Sequence, residues 1–123
     1  GVTGVNLLVN LEMRLDNVVY RMGLAPSRPA ARQFVLHKHI AINGHTANIP
    51  SMRVKVGDVI EVRNRQRSRD EAARSLESAT QAQMPSWISI DPKAFRGEIL
   101  SVPTREEIAP VADEQAIVEL YSR

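Results

Sequence analysis

The stretch that decides the fold spans residues 11–63 and reads LEMRLDNVVYRMGLAPSRPAARQFVLHKHIAINGHTANIPSMRVKVGDVIEVR. Its first part has the three- and four-residue spacing of helices, and its second part has the two-residue period of strands. Two helices and three short strands give a unit of about 55 residues, near the lower size at which a domain folds alone. The predicted class is α+β, with two packed helices against a small, mostly antiparallel sheet.

An apolar stripe predicts the first helix, between a candidate N-cap at Asn6 and a candidate left-handed terminator at Gly23. The stripe consists of Leu8, Leu11, Leu15, Val18, Val19 and Met22. The second helix is predicted to begin after Ser27, whose hydroxyl can accept from the free amides of the first turn. Its apolar face, Ala31, Phe34 and Val35, is expected to pack on the first helix.

The three strands are separated by turn signals. Residues 40–42 are predicted to pair with residues 46–49 across Asn43-Gly44, a dipeptide typical of tight hairpins. Residues 53–56 alternate between basic and apolar side chains, and residues 59–63 are predicted as a further strand after the turn at Gly57-Asp58.

The second half of the chain is less regular. Capping-box patterns at Ser68 with Glu71 and at Thr104 with Glu107 predict helix starts, the first for a helix that reaches about residue 83. Strands are predicted at residues 87–90 and 117–121, with a further apolar cluster in residues 97–102. We expect residues 8–92 to form the main domain, with residues 1–7 and 93–123 in a companion subdomain.

Charge is distributed unevenly along the chain. Residues 1–69 hold 11 Lys/Arg against 4 Asp/Glu, whereas residues 70–123 hold 5 against 10. Residues 17–57 contain no carboxylate at all, although they contain six Lys/Arg and three His. A field of one sign survives where opposite charges do not cancel it within a Debye length, about 8 Å at physiological salt. The first half is therefore expected to attract a polyanion.

Several function classes find no support in the residues. The chain has no Cys, so a thiolate metal site, a disulfide scaffold and a Cys nucleophile are excluded. No phosphate-binding glycine loop or serine nucleophile motif is present, and neither a membrane-spanning apolar run nor a secretory leader is expected. His37 and His39 would point about 200° apart on a helix, so neither a metal nor another cofactor is expected.

A pair of helices carrying Arg beside a hairpin can straddle a phosphate ridge, with the amino end of the second helix adding free amides. Such a surface suits folded RNA, which is recognised by backbone shape more than by a readable groove. DNA remains open on electrostatics alone.

These residues also carry a family resemblance. RLDNVVYRMG, ARQFV followed by HKHI and NG, WISIDP and the final IVELYSR resemble the bacterial-type small-subunit ribosomal proteins of the S-four family, including its RNA-binding module. The resemblance covers essentially the whole chain, but the family's long basic N-terminal region is missing. It implies a structural, non-enzymatic protein of the cytoplasmic or organellar ribosome. Its expected partners are small-subunit ribosomal RNA, neighbouring ribosomal proteins and in some members the protein's own messenger, with roles in assembly and translational accuracy.

The resemblance also implies which side chains face RNA. The matching positions on and after the second helix are Arg28, Arg32, Gln33, His37, Lys38 and His39. Further phosphate contacts are expected at Arg14, Arg21, Arg53, Lys55 and Arg65, and sugar or phosphate contacts at Asn43 and Ser51. Met52 stands where the family usually has an aromatic residue, which weakens any stacking role there.

Two other hypotheses remain open. The same module occurs in RNA-modifying enzymes such as pseudouridine synthases and in tyrosyl-transfer-RNA synthetases, which would require a separate catalytic domain. The acidic second half could instead make the chain a protein-interaction adaptor that docks a basic partner.

Overall fold

The computed structural model describes residues 2–78 and 85–108 of the chain. A 3-10 turn, Pro92–Ala94, precedes the last strand. The other elements, in chain order, are α1 (Val2–Glu12), α2 (Leu15–Arg21), α3 (Arg28–Leu36), β1 (Ile40–Ile42), β2 (His45–Ala47), β3 (Val59–Val62), α4 (Gln66–Ser78), β4 (Ile88–Asp91), β5 (Arg96–Ile99) and α5 (Arg105–Ile108). These elements confirm the α+β class.

The five strands form one antiparallel sheet in the order β2-β1-β3-β5-β4. The predicted hairpin between β1 and β2 is confirmed, since Asn43 and Gly44 both have positive φ, 51° and 84°. Positive φ at both central residues gives a turn whose twist matches that of the flanking strands. Residues 53–56, in contrast, do not form a strand of this sheet, and only Arg53 makes an isolated bridge, with Arg14.

Strand β5 lies inside the sheet, between β3 and β4, although it follows both in sequence. It pairs with β3 through Val59 opposite Glu98, and with β4 through Ile88 opposite Ile99. The boundary predicted after residue 92 therefore falls between two paired strands of one sheet. At the other end of the fold, α1 contacts α5, which brings the first residues of the chain next to its later part.

The core lies between α2, α3 and the inner face of the sheet. Fully buried side chains from each element meet there, including Leu15, Val18, Met22, Val35, Ile40, Ile60, Trp87 and Ile99. Ser27 caps α3 as predicted, because its Oγ accepts from the amide of Ala30 at 3.1 Å. The helices and strands thus bury their apolar faces against one another, which is the main favourable term in folding.

The first predicted helix is in fact two helices, and this part of the prediction was wrong. Arg14 is extended, with φ −68° and ψ 144°, and separates α1 from α2. The chain near Met52 docks at this break: the amide of Leu15 donates to the carbonyl of Met52 at 2.8 Å, and the amide of Val54 donates to that of Met13 at 2.9 Å. The apolar stripe could not reveal the break because its spacing continues through it.

The first predicted capping box was also wrong. Helix α4 begins at Gln66, and the Ser68 side chain is buried against His39 instead of capping the helix. The second box is confirmed: the amide of Thr104 donates to Glu107 Oε1 at 2.9 Å, and the amide of Glu107 donates to Thr104 Oγ1 at 3.3 Å. The predicted continuation of α4 to residue 83 and the predicted strand at residues 117–121 lie outside the described residues. In the described part of the chain, no helix has the length and apolarity needed to cross a bilayer.

Gly97 lies where β5 packs tightly against Met22, the residue at the end of α2. A Cβ at this position would lie 2.8 Å from Met22 Cε and 3.0 Å from the carbonyl oxygen of Ser89. We expect Gly97→Ala to lower the free energy of unfolding by about 1–3 kcal/mol, the usual cost of overpacking. Urea denaturation followed by circular dichroism measures this, with Ser89→Ala on the neighbouring strand as the control. An unchanged midpoint for Gly97→Ala would show that β5 can move away from α2 at little cost.

Candidate nucleic-acid interface

A buried polar network ties α1 to α2. Glu12 and Asn17 are 5% and 1% exposed. Asn17 Nδ2 donates to the Glu12 carbonyl at 2.6 Å and to Glu12 Oε2 at 3.0 Å. Arg21 donates to both oxygens of the same carboxylate, at 3.2 Å and 2.9 Å. A buried carboxylate needs such partners, because losing its hydration without compensation is costly.

Two arginines that were expected to contact RNA instead form ion pairs inside the fold: Arg21 in this network, and Arg14 at the break between α1 and α2. Arg21 is occupied by Glu12, with side-chain exposures of 12% and 7%. Arg14 binds Asp16 with two hydrogen bonds, at 3.2 Å and 3.1 Å. Arg14 and Arg21, both expected to contact RNA, are thus each paired with a carboxylate within the fold.

Arg28 extends the same network to α3. Its Nε donates to Asn17 Oδ1 at 2.9 Å, and its guanidinium lies 4.8 Å from the centre of the Tyr20 ring. A guanidinium over an aromatic face is attracted by the ring quadrupole. Arg28 thus fixes α3 against α2, and only part of its side chain is exposed.

His39 was expected to face RNA, but in the structure it is buried, with an exposed fraction of 6%. Its Nδ1 and Ser68 Oγ are 2.6 Å apart, and its ring stacks on Phe34 with 4.6 Å between centroids. Its Nε2 lies 3.8 Å from Glu71 Oε2. Burial lowers the pKa of His39 below its ordinary value of 6.5, and the carboxylate of Glu71 opposes this effect only in part. His39 is therefore a structural link between α3 and α4.

The hairpin residues have mixed roles. Asn43 links the hairpin turn to the start of β3, since its Nδ2 donates to Asp58 Oδ1 at 3.0 Å and its Oδ1 accepts from the amide of Val59 at 2.9 Å. Arg53 donates to Asn10 Oδ1. Lys55 and Ser51 are exposed. Among the expected contacts in this region, Asn43 has both polar ends of its side chain bonded within the fold, to Asp58 and Val59.

Five of the expected residues are exposed on α3, just after it or just before α4, and together with Arg67 they make up what we call the basic face. It consists of Arg32, Gln33, His37, Lys38, Arg65 and Arg67, all exposed. Arg63 connects its two halves, because Nη1 donates to the Lys38 carbonyl at 3.1 Å and its amide donates to the His39 carbonyl at 2.8 Å. The tertiary structure therefore joins the end of α3 to the start of α4.

The basic face has no carboxylate partner within residues 2–78 and 85–108. The ion pairs in those residues involve Arg14, Arg21 and His39. Lys38 also holds a left-handed backbone, with φ 65°, a conformation that favours Gly and that non-glycine residues rarely adopt. The amide of Lys38 donates to the Val35 carbonyl and the amide of His39 donates to the Phe34 carbonyl, so this conformation ends α3 as in a Schellman motif.

Arg67 is the member of the basic face that sequence reasoning misses, although it belongs to the basic run at residues 63–69. The capping-box pattern at Ser68 hides it, because that pattern puts the start of α4 too late in the chain. With α4 beginning at Gln66, Arg67 lies on the helix and shares a cleft with Gln33 of α3 and with His37, which follows α3. In the described residues, no group of three His, Asp or Glu side chains could hold a metal ion.

Comparison with known proteins gives this arrangement a family. Residues 13–60 match the S4 domain, which covers α2, α3 and the first strands. The whole chain is 54% identical to the small ribosomal subunit protein uS4 of Syntrophomonas wolfei, 52% identical to that of Burkholderia thailandensis and 47% identical to that of Desulfatibacillum aliphaticivorans. In each case the chain spans 59% of the length of the relative.

The class defined by the two helices and the hairpin is that of S4-domain proteins. Within that class, the chain belongs to the family of bacterial-type small ribosomal subunit proteins uS4. The family resemblance found in the sequence is thereby confirmed.

Arg28 and Arg32 lie one turn apart on α3 and allow a matched test of the two kinds of arginine. We expect Arg28→Ala to lower the free energy of unfolding by about 1–3 kcal/mol, because the buried Asn17 oxygen loses its donor. Arg32→Ala should change it by less than about 0.5 kcal/mol, since the side chain is exposed. Denaturant unfolding of both variants measures this. Equal stability of the two variants would contradict the structural role of Arg28.

The buried His39 predicts a pH dependence of stability. Because its folded pKa lies below 6.5, the unfolded chain binds a proton more readily, and stability should fall as pH drops below that value. Unfolding free energies between about pH 7 and about pH 5 should decline more steeply for the wild type than for His39→Gln. His45→Gln, at an exposed site, should keep the wild-type slope. An unchanged slope in His39→Gln would assign the pH dependence to other groups.

Proposed function

We propose that the chain binds small-subunit ribosomal RNA as a structural protein of the ribosome, with the basic face as its principal contact. The observation that supports this most is the absence of any carboxylate partner for Arg32, Lys38, Arg65 and Arg67 in the described residues. Cations that are not paired within the protein remain available to phosphates. The names of the relatives, small ribosomal subunit proteins, support the ribosome as the assembly concerned.

The chemistry of the basic face suits RNA backbone. A guanidinium can donate two parallel hydrogen bonds to one phosphate, while a lysine acts as a mobile point charge. Each phosphate that is neutralised also releases counterions, which makes binding dependent on salt. Since the deep groove of an RNA helix is closed to side chains, recognition would depend on the positions of phosphates and hydroxyls.

Roles in ribosome assembly, in translational accuracy and in binding the protein's own messenger would use the same surface. A protein whose RNA-binding residues are fixed on a preformed fold can bind early, before other proteins join, and so act as a primary assembly binder. By holding ribosomal RNA in one arrangement it would contribute to translational accuracy. Its own messenger is a further proposed ligand, if that RNA presents a similar backbone.

Neighbouring ribosomal proteins are proposed as partners for the acidic half of the chain. Residues 70–123 carry 10 Asp/Glu against 5 Lys/Arg, which disfavours RNA and favours a basic protein surface. The corresponding location is the ribosome of a bacterial cytoplasm or of an organelle.

The proposal predicts a reduced salt dependence when the basic face is neutralised. Binding of a small-subunit ribosomal RNA transcript to Arg32→Gln/Lys38→Gln should weaken, and the slope of log affinity against log salt should fall by about 0.7–0.9 for each phosphate that is no longer neutralised. Filter binding at several salt concentrations measures this. Lys93→Gln/Arg96→Gln, beside and on β5, is the control of equal charge and should leave the slope unchanged. A similar drop for both pairs would mean that only the net charge matters and would contradict a defined basic face.

A further inference from the structure

A cleft of about 270 Å³ opens within the basic face, between α3 and the start of α4. Five polar side chains line it: Gln33 from α3, His37 and His39 just after α3, and Arg67 and Glu71 from α4. Its apolar wall includes Leu24, Ala30 and Phe34. The two helices that make the cleft are held together behind it by the buried contact between His39 and Ser68, so its width is set by the fold.

The size of the cleft limits what can enter. Pockets for drug-sized ligands have volumes of about 300–1,000 Å³, so this cleft is suited to a single small ring system. An apolar wall with polar groups at its edge matches a nucleobase, which has two apolar faces and a hydrogen-bonding rim. Bases that are splayed out of loops and bulges are recognised in this way by RNA-binding proteins.

Glu71 is the unexpected member of this lining. A carboxylate repels phosphates, so the cleft itself is a poor site for the RNA backbone, in contrast to the residues around it. The Glu71 side chain is 39% exposed, and its ion-pair partner in the described residues is His39 Nε2 at 3.8 Å. Burial lowers the pKa of His39, which disfavours the charged imidazole that would bind this carboxylate most strongly. The carboxylate oxygens therefore remain able to accept hydrogen bonds.

We propose that this cleft receives one unpaired guanine base, with its Watson–Crick edge on Glu71. Guanine has two neighbouring donors, N1–H and the N2 amino group, that match the two oxygens of one carboxylate. Its O6 and N7 are acceptors, which suit a donor such as Arg67. Adenine, cytosine and uracil lack this pair of neighbouring donors. The inference rests on the proposed function, since the basic face would hold the phosphates on either side of the base.

The test uses RNA hairpins that differ only in one bulged nucleotide, which is guanosine, inosine, adenosine or uridine. The wild type should bind the guanosine hairpin about tenfold more tightly than the uridine hairpin, the range for one good base contact. Inosine, which lacks the N2 amino group, should lose much of this preference. Fluorescence anisotropy at one fixed salt concentration gives the affinities.

Glu71→Gln separates base recognition from charge. Removing a negative charge strengthens any contact that is only electrostatic, so the variant should bind the uridine hairpin at least as well as the wild type. It should nevertheless bind the guanosine hairpin more weakly and no longer distinguish guanosine from inosine. Glu77→Gln, an exposed position later on α4, makes the same change in charge and should keep the preference for guanosine.

The outcomes are distinguishable. Salt-dependent binding of all four hairpins with equal affinity would overturn the guanine site and leave the proposed function intact. Failure of the wild type to bind any hairpin or a ribosomal RNA transcript would overturn both. If Glu71→Gln proves unstable in thermal unfolding, the comparison of guanosine with inosine in the wild type decides, because it requires no variant.

Discussion

The buried pairing of Glu12 with Asn17 and Arg21 is the interaction on which the rest of this structure depends. It places a carboxylate and an amide in the interior at the junction of α1 and α2, where neither could remain without partners. The remaining acceptor of Asn17 is taken by Arg28 from α3. One network therefore sets the positions of three helices. Because the inner side of α3 is fixed in this way, its outer side, with Arg32 and Lys38, has a defined direction.

The same network explains how the cations of this chain divide into two groups. Arg14 and Arg21 lie near carboxylates of α1 and α2 and are used inside the fold. Farther along, the chain has no carboxylate until Asp58, so Arg32 and Lys38 have none within their own segment. The result is a basic face whose charges are left for an outside partner. Its second half comes from α4, through the contact between His39 and Ser68.

Long-range strand pairing makes the sheet a single unit. β5 is inserted between β3 and β4, so the α4 region that separates them in sequence must fold back across the sheet. This arrangement places the start of α4 beside the end of α3. The cleft between them is bounded by the end of α3 and the start of α4, which the His39–Ser68 contact holds together. Helix α4 begins where the basic half of the chain passes into the acidic half, and it contributes Arg67 and Glu71 to a site that starts on α3.

The sequence by itself determined the elements whose causes are local. Hydrophobic period, the Ser27 cap and the Asn43-Gly44 turn depend on neighbours within a few residues, and they predicted α2, α3 and the hairpin. The absence of carboxylates in residues 17–57 likewise indicated the charged surface. Only the tertiary structure decided the helix break at Arg14, the burial of His39, the use of Arg14 and Arg21 within the fold and the inclusion of Arg67. The helix break and the burial of His39 depend on partners distant in sequence, Met52 and Ser68, and no local pattern encodes which distant groups will meet. Arg14 and Arg21 have partners nearer in the chain, Asp16 and Glu12, but the choice among several nearby carboxylates is made by how α1 and α2 pack.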